Sequence, residues 1–380
     1  MDRPLGSIND MIADLLATGI HNVRNVSHYI FGENSLDKLP ALLVGRRKES
    51  GDSIIFVVDE FFRDNNLILD RLHIKSKDQL IIVDTGKEPT TTYINEIYSG
   101  LASVYDPTRF VGVVGIGGGI TLDTAKAVSN LLGNGGVAED YQGWDLLTNP
   151  GLYKIGIPTI SGTGSEATRT CVMTNAENGL KLGMNSEYTI YDQLVLDPSL
   201  TKTVPRSQYF YTGMDAYIHC TESLSGSYRN TIGDALSSQS LNLCRQVFLD
   251  DDMLSDTNRA NLMVASYLGG CAIASSYVGV VHPFSAGLSV VLDIHHGVAN
   301  CIALAALGEF YGTAKEELLT MAQAQGVDIP QGVCANLSDD QYNQLYRSTI
   351  IHEKPLTNAL GLEYRNILTR DKVCEIFSKM

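Results

Sequence analysis

Val111-Gly112-Val113-Val114-Gly115-Ile116-Gly117-Gly118-Gly119-Ile120-Thr121-Leu122-Asp123-Thr124-Ala125-Lys126 holds a strand, a turn and the start of a helix in one unbroken run. The apolar, β-branched residues 111–116 read as a buried strand, and the three glycines after them as a tight turn. Leu122, Ala125, Val128 and Leu132 then recur at helical spacing. A strand that passes through glycines into a helix N-terminus suits a pyrophosphate. Backbone N–H groups at the helix start are unpaired, and the missing side chains let the anion approach. The fingerprint G-x-G-x-x-G is met only in part, because Gly115 and Gly117 fit but Ile120 holds the third position. A tight turn without a ligand is the alternative reading.

Residues 54–58 and 80–83 are further short apolar runs, and Tyr93, Ile94, Ile97, Tyr98, Leu101 and Val104 mark a helix between them and the strand at 111–116. Continuous apolar strands alternating with helices predict a parallel sheet covered on both faces. Extended segments follow at 154–158 and 188–196, the second closed by Asp197-Pro198. Ile8, Met11, Ile12, Leu15 and Leu16 form a helical stripe near the N-terminus. From about Pro205 the pattern turns helical, over 209–224, 231–248, 257–274 and 298–311. The expectation is an α/β nucleotide-binding domain over 1–200, built on a parallel sheet, and an all-α domain over 201–380.

The 380 residues are 44% hydrophobic and 19% charged, so a packed core is expected rather than disorder. A net charge of −15, without a basic run, argues against nucleic acid or an anionic membrane as partner. No apolar stretch approaches the ~20 residues of a membrane span, and the first residues lack a signal peptide's pattern, so a cytoplasmic protein is expected. The seven cysteines are scattered and odd in number, which predicts free thiols.

Two further stretches suit a nucleotide. Thr159-Ile160-Ser161-Gly162-Thr163-Gly164-Ser165-Glu166 is dense in hydroxyls and backbone donors after a short strand, although such loops also occur without ligands. Asp59 follows the strand at 54–58. There a carboxylate can accept from a ribose diol and would repel a 2′-phosphate, favouring NAD over NADP; a helix cap is its plainer role. Asp215 and His219 lie four apart on a helical stretch and so share one face. With His282 and His296 they make one carboxylate and three imidazoles, a set that suits Fe(II) or Zn(II). Each also has a structural alternative: a core histidine at 219, a helix end at 282, a cap at 215.

Taken together, these motifs resemble the iron-containing alcohol dehydrogenases, relatives of glycerol dehydrogenase and dehydroquinate synthase. The matching residues are Gly117-Gly118-Gly119 with Asp123 and Lys126, then residues 161–166, Asp197-Pro198, and Thr212-Gly213-Met214-Asp215-Ala216 with His219 and Glu222. His282 and His296-Gly297 close the series, in the family's order and with its last gap, over about residues 50–300. The resemblance implies a dehydroquinate synthase-like fold with a metal in the cleft, ligated by Asp215, His219, His282 and His296. It selects His296 over His295 because the glycine follows His296. It implies a pyrophosphate at the glycine turn, Asp123, Thr159, Ser161 and Thr163 along the cofactor, Asp59 at the adenine ribose and Lys181 near the nicotinamide ribose. A homodimer is common in the family.

Three positions depart from the family's pattern: Ile120 replaces a frequent serine, Lys87-Glu88-Pro89 replaces proline-asparagine-proline, and Ala286 replaces a histidine linked to proton transfer. That leaves His295 or a water chain to move the proton. Within the family the chain is most similar to bacterial enzymes that oxidise C8 of 3-deoxy-D-manno-octulosonate (Kdo) before amination, some of which are oxidases. The expected activity is oxidation of a primary alcohol to an aldehyde with NAD. The alternatives are a transient-NAD lyase or synthase of the dehydroquinate synthase type, a small-polyol dehydrogenase, and a non-catalytic nucleotide-binding regulator.

Overall fold

The computed structural model describes residues 23–104, 107–175 and 177–380; the stripe expected at 8–16 lies outside them. The strands are β1 His28–Phe31, β2 Ser53–Asp59, β3 Gln79–Val83, β4 Phe110–Gly117, β5 Gly143–Trp144, β6 Lys154–Pro158, β7 Thr170–Thr174, β8 Lys181–Asn185 and β9 Gln193–Leu196. Six form a wholly parallel sheet in the order β1-β9-β6-β4-β2-β3. Helices α1 Thr91–Val104 and α2 Gly119–Asn134 connect its strands.

The apolar runs read from the sequence are the central strands, and β2, β4 and β6 are buried along nearly their whole length. Successive side chains alternate between two cores. Ile55, Val57 and Val113 pack with Ile94 and Leu101 of α1 and with Ala125, Val128 and Leu131 of α2. Ile54, Phe56, Val58, Val114 and Ile116 meet Leu36, Leu39 and Leu43 on the opposite face. Each Val, Leu, Ile or Phe among them contributes about 1.5–3 kcal/mol by leaving water.

After Thr201 the described chain is helical: α3 Arg206–Ser225, α4 Thr231–Phe248, α5 Asp256–Ser275, α6 Val281–Leu292, α7 His296–Ala306, α8 Gly308–Gln325, α9 Asp339–Ile350, α10 Glu353–Leu360 and α11 Arg370–Phe377. α3 packs against α4, α5 and α7, and is buried on most of its faces. None of these helices is long and apolar enough to cross a membrane.

Three details differ from the sequence expectation. The extended segment at 188–196 is a strand only over β9, after a 3-10 turn at Glu187–Thr189. The helix expected at 298–311 is two, α7 and α8, broken at Leu307. A hairpin, β7–β8, joins β5 in a second small sheet that the sequence reading did not anticipate.

Candidate functional site

Neighbouring strands β2, β4 and β6 end together: Val58 pairs with Ile116, and Gly117 with Pro158. Asp59, the glycine turn and Thr159 therefore share one edge of the sheet, the carboxyl edge where open α/β sheets bind ligands. Gly117 admits no side chain, since a Cβ would sit 2.7 Å from Thr121 and 2.9 Å from the Cβ of Asp59. Asp59 caps the turn after β2 by accepting from the Phe61 N–H at 3.0 Å, and it accepts from Thr85 Oγ1 at 3.2 Å. Its capping role and its place in the cleft coexist.

A cavity of about 1040 Å³ extends from this edge toward the helices. Asp59, Gly118, Gly119, Asp123, Thr159, Thr163 and Lys181 line it, together with His219, His282, His295 and His296. Gly117 and Ser161 lie behind the lining, and the buried Ser161 hydroxyl has no partner among the described residues. Asp123 is engaged by the chain itself: Ser165 Oγ donates to one oxygen at 2.5 Å and the Val172 N–H to the other at 2.9 Å. Burial raises its carboxyl above the ordinary value. Lys126 donates to the Thr168 and Thr170 carbonyls at 3.0 and 2.8 Å, tying α2 to β7. Lys181 reaches Glu88 at 2.8 Å, so the altered Lys87-Glu88-Pro89 turn puts a carboxylate into the cleft.

The loop after β6 touches α3 through its backbone. Gly162 has φ +145°, and a Cβ there would lie 1.6 Å from the Thr212 carbonyl oxygen. One turn farther along α3 comes the buried Asp215, and His219, a turn beyond it, lines the cavity. α6 brings His282 and the start of α7 brings His296. Their Nε2 atoms stand 3.4, 3.2 and 3.5 Å from Asp215 carboxylate oxygens for His219, His282 and His296 respectively. Asp215, His282 and His296 offer ligand atoms mutually within 4.8 Å. The His219 ring stacks on that of His282, with centroids 4.7 Å apart.

Asn300 donates to Asp215 Oδ1 at 2.7 Å. Behind His282, Glu222 is fully buried; it meets Nδ1 with one oxygen and accepts the Val281 N–H at 2.5 Å with the other. Burial drives His219 down to about 4 and His296 down to about 3, so both rings are neutral at physiological pH. Burial also disfavours the charged form of His282, but Glu222 and Asp215 outweigh it and raise the ring to about 9. Asp215 is held well below the usual carboxylate range, since the three imidazoles outweigh its burial. The Asp215 Oδ2, His219 Nδ1 and His296 Nδ1 atoms are buried without hydrogen-bond partners among the described residues. A buried carboxylate faced by three imidazole nitrogens, two of them neutral, is a donor set that fits a divalent transition ion.

Sequence reasoning singled out these groups but not the rest of the cavity wall. Trp144, Arg169, Tyr228, Tyr277, His352 and Lys354 also line it. The turn Asn178-Gly179 was the available signal for the hairpin that carries part of this wall. Nothing local in the sequence joins Trp144, Tyr277 and Lys354.

The family model for iron-containing alcohol dehydrogenase matches residues 27–198, and that for the C-terminal part of the Fe-containing alcohol dehydrogenase family matches 209–346. The sulfoacetaldehyde reductase of Bilophila wadsworthia is 39% identical over 191 residues; the match covers 49% of each chain, so this chain aligns with about half of that relative's length. Among solved structures, a 1,3-propanediol oxidoreductase superposes with a TM-score of 0.79 at 20% identity, covering 94% of this chain and 99% of the other. A sulfoacetaldehyde reductase from Bifidobacterium kashiwanohense, in complex with NAD+, does so with a TM-score of 0.76 at 20% identity, covering 94% and 98%. At these identities the two structural matches speak for the fold alone.

Proposed function

The chain belongs to the iron-containing alcohol dehydrogenase family, and from that premise we propose that it interconverts a primary alcohol and its aldehyde with NAD as redox partner. The observation that carries this reading is the convergence of three imidazole nitrogens on Asp215 in the cavity that also holds the glycine turn. In this reading Asp215, His219, His282 and His296 hold Fe(II), the ion in the family's description, or Zn(II), which accepts the same ligands. Such an ion supplies Lewis acidity toward the alcohol or carbonyl oxygen.

The chain's own residues do the rest. Asn300 fixes the Asp215 carboxylate, and Glu222 would hold the remaining ring proton of His282 on Nδ1 once a metal displaces the one on Nε2. Gly117, Gly118 and Gly119 hold the pyrophosphate, Thr159, Ser161 and Thr163 line the cofactor, Asp59 binds the adenosine diol, and Lys181, steadied by Glu88, serves the nicotinamide ribose. With Ala286 in place of a histidine, His295 and His352 are the cavity-lining imidazoles left outside the metal set. We route the proton through His295, and an unchanged rate in His295→Ala would remove it from that path. A homodimer and a cytoplasmic location belong to the same proposal.

For the substrate, C8 of 3-deoxy-D-manno-octulosonate remains our reading, supported by a cavity large enough for an eight-carbon sugar acid beside a nicotinamide. The second reading is a small hydroxylated compound, favoured by the 39% identity to a sulfoacetaldehyde reductase. The test is NADH formation by metal-loaded protein with Kdo, isethionate, 1,3-propanediol and simple alkanols. NADH with Kdo alone supports the first reading, and NADH with small alcohols only supports the second. Product without net NADH points to a transient-NAD lyase or synthase, and oxygen uptake to an oxidase. NAD binding without metal or turnover would mark a regulator.

A further inference from the structure

Three aromatic rings meet on one part of the cavity wall. Trp144, the only tryptophan of the chain, packs edge-on against Tyr277 with centroids 5.2 Å apart, and Tyr228 packs on Tyr277 at the same distance. Lys354, from the first turn of α10, places its Nζ 3.8 Å from the Trp144 ring centroid and 5.8 Å from that of Tyr277. Arg169, just before β7, lies beside them in an ion pair with Asp145, and its Nε is buried without a partner among the described residues. All five rings and cations line the cavity that holds His282 and His296.

The other cavity-lining cations are matched: Lys181 has Glu88, and Arg169 has Asp145. For Lys354, among the described residues, no carboxylate lies within salt-bridge distance. Burial beside Arg169 lowers its basicity, against the pull of Asp145 and Glu353. An ammonium resting on an indole has hydrogen-bonding capacity to spare, because a ring face satisfies charge but accepts no directed N–H bonds. Lys354 lines the cavity with its ammonium on the Trp144 ring and near that of Tyr277, so a ligand anion in the cavity can take up its unused N–H donors.

We propose that Lys354, with Arg169 behind it and Trp144 and Tyr277 as flanking walls, is a subsite for the anionic end of the substrate. The substrate class is then an alcohol or aldehyde that carries a carboxylate or sulfonate at the end remote from the reacting carbon. This rests on the oxidoreductase reading given above and goes beyond it, since neither the metal set nor the glycine turn distinguishes a charged alcohol from a neutral one. A charge-assisted hydrogen bond in a half-buried site sets the preference for the anion at roughly tenfold or more.

The experiment compares kcat/KM for a homologous series of ω-hydroxy carboxylates with that for α,ω-diols of equal length, in wild-type protein, Lys354→Met and Lys354→Arg. The expected result is a wild-type preference for the acid at one or more chain lengths. That preference falls at least ~10-fold in Lys354→Met and is largely kept in Lys354→Arg. ω-Hydroxy sulfonates, run in parallel, tell a carboxylate from a sulfonate. An equal acid-to-diol ratio in wild type and Lys354→Met overturns the subsite while leaving the dehydrogenase reading standing. Should no alcohol yield NADH, the dehydrogenase reading falls, and calorimetric titration of the same acids decides the subsite separately. Binding weakened in Lys354→Met supports it, and equal or absent binding overturns it.

Discussion

Replacing Glu222 with glutamine tests how the metal set is held together, because the change alters one proton and almost no volume. Glu222 is fully buried, and both its oxygens are used, one by the Val281 N–H at 2.5 Å and one by His282 Nδ1. The backbone N–H can only donate, so the glutamine must offer it the carbonyl oxygen. Its NH2 then faces His282 Nδ1. That contact is favourable only if Nδ1 carries the lone pair, which moves the ring proton to Nε2, the atom 3.2 Å from Asp215. A protonated Nε2 cannot ligate a metal. The reverse placement of the amide sets two donors against each other at Val281. The variant must therefore give up either a buried hydrogen bond or the ligating tautomer. Losing the carboxylate behind a ligating imidazole costs about 10–100-fold in metal affinity, or ~1.4–2.8 kcal/mol. Equilibrium dialysis against a competing chelator, with metal content read by atomic emission, measures this directly, and a thermal melt of the metal-free protein checks that the fold survives. Metal affinity within twofold of wild type in a folded variant would refute the tautomer argument.

Other substitutions probe the framework. Gly162→Ala drives a Cβ to within 1.6 Å of the Thr212 carbonyl oxygen at a φ of +145°, so a loss of about 4 kcal/mol or more, seen as insoluble or low-melting protein, is expected. Normal stability there would mean that the loop and α3 do not meet as described. Lys154 is 2% exposed, and burial, opposed by Asp192, lowers its amine from 10.5 to about 8. Below pH 8 it is charged in both the folded and unfolded states, and burying that charge costs about 3 kcal/mol. Between about pH 8 and 10.5 the unfolded chain binds more protons, so wild-type stability rises relative to a variant that cannot titrate. Lys154→Met is expected to be the more stable protein at pH 7 in urea unfolding, with the advantage shrinking toward pH 10; an advantage that grows with pH would reverse the sign. Asp59→Ser removes the charge that opposes a 2′-phosphate and should narrow the preference for NAD over NADP by about 1 kcal/mol, read as the ratio of kcat/KM for the two cofactors.

What the sequence made legible follows from how local each signal is. The central strands are continuous runs of β-branched residues because both faces of the sheet are covered, and such runs stand out on a single reading. The i, i+4 pair of Asp215 and His219 is equally local. β7 and β8 were not recognised because each is short, with only two buried residues among five, and Gly183 lies inside the second. α6 is apolar along nearly its whole length, so it shows no amphipathic stripe to mark a helix. The meeting of α3, α6 and α7 at the metal set is a tertiary event: donor chemistry grouped His282 and His296 with Asp215 as one possibility beside the structural alternatives, and the resemblance to a known family singled it out. The wall of Trp144, Tyr277 and Lys354 has no such pattern behind it, since its members lie 77 or more positions apart.

The contact between Gly162 and the Thr212 carbonyl, with no side chain between them, has a mechanical meaning. Gly164 meets Gly270 of α5 in the same way, a Cβ there lying 2.8 Å from the Gly270 Cα. Two backbones pressed together at adjacent points leave no side chain that could repack between them. The spacing between the loop at 159–165 and the turn of α3 that carries Asp215 is therefore set by main chain against main chain.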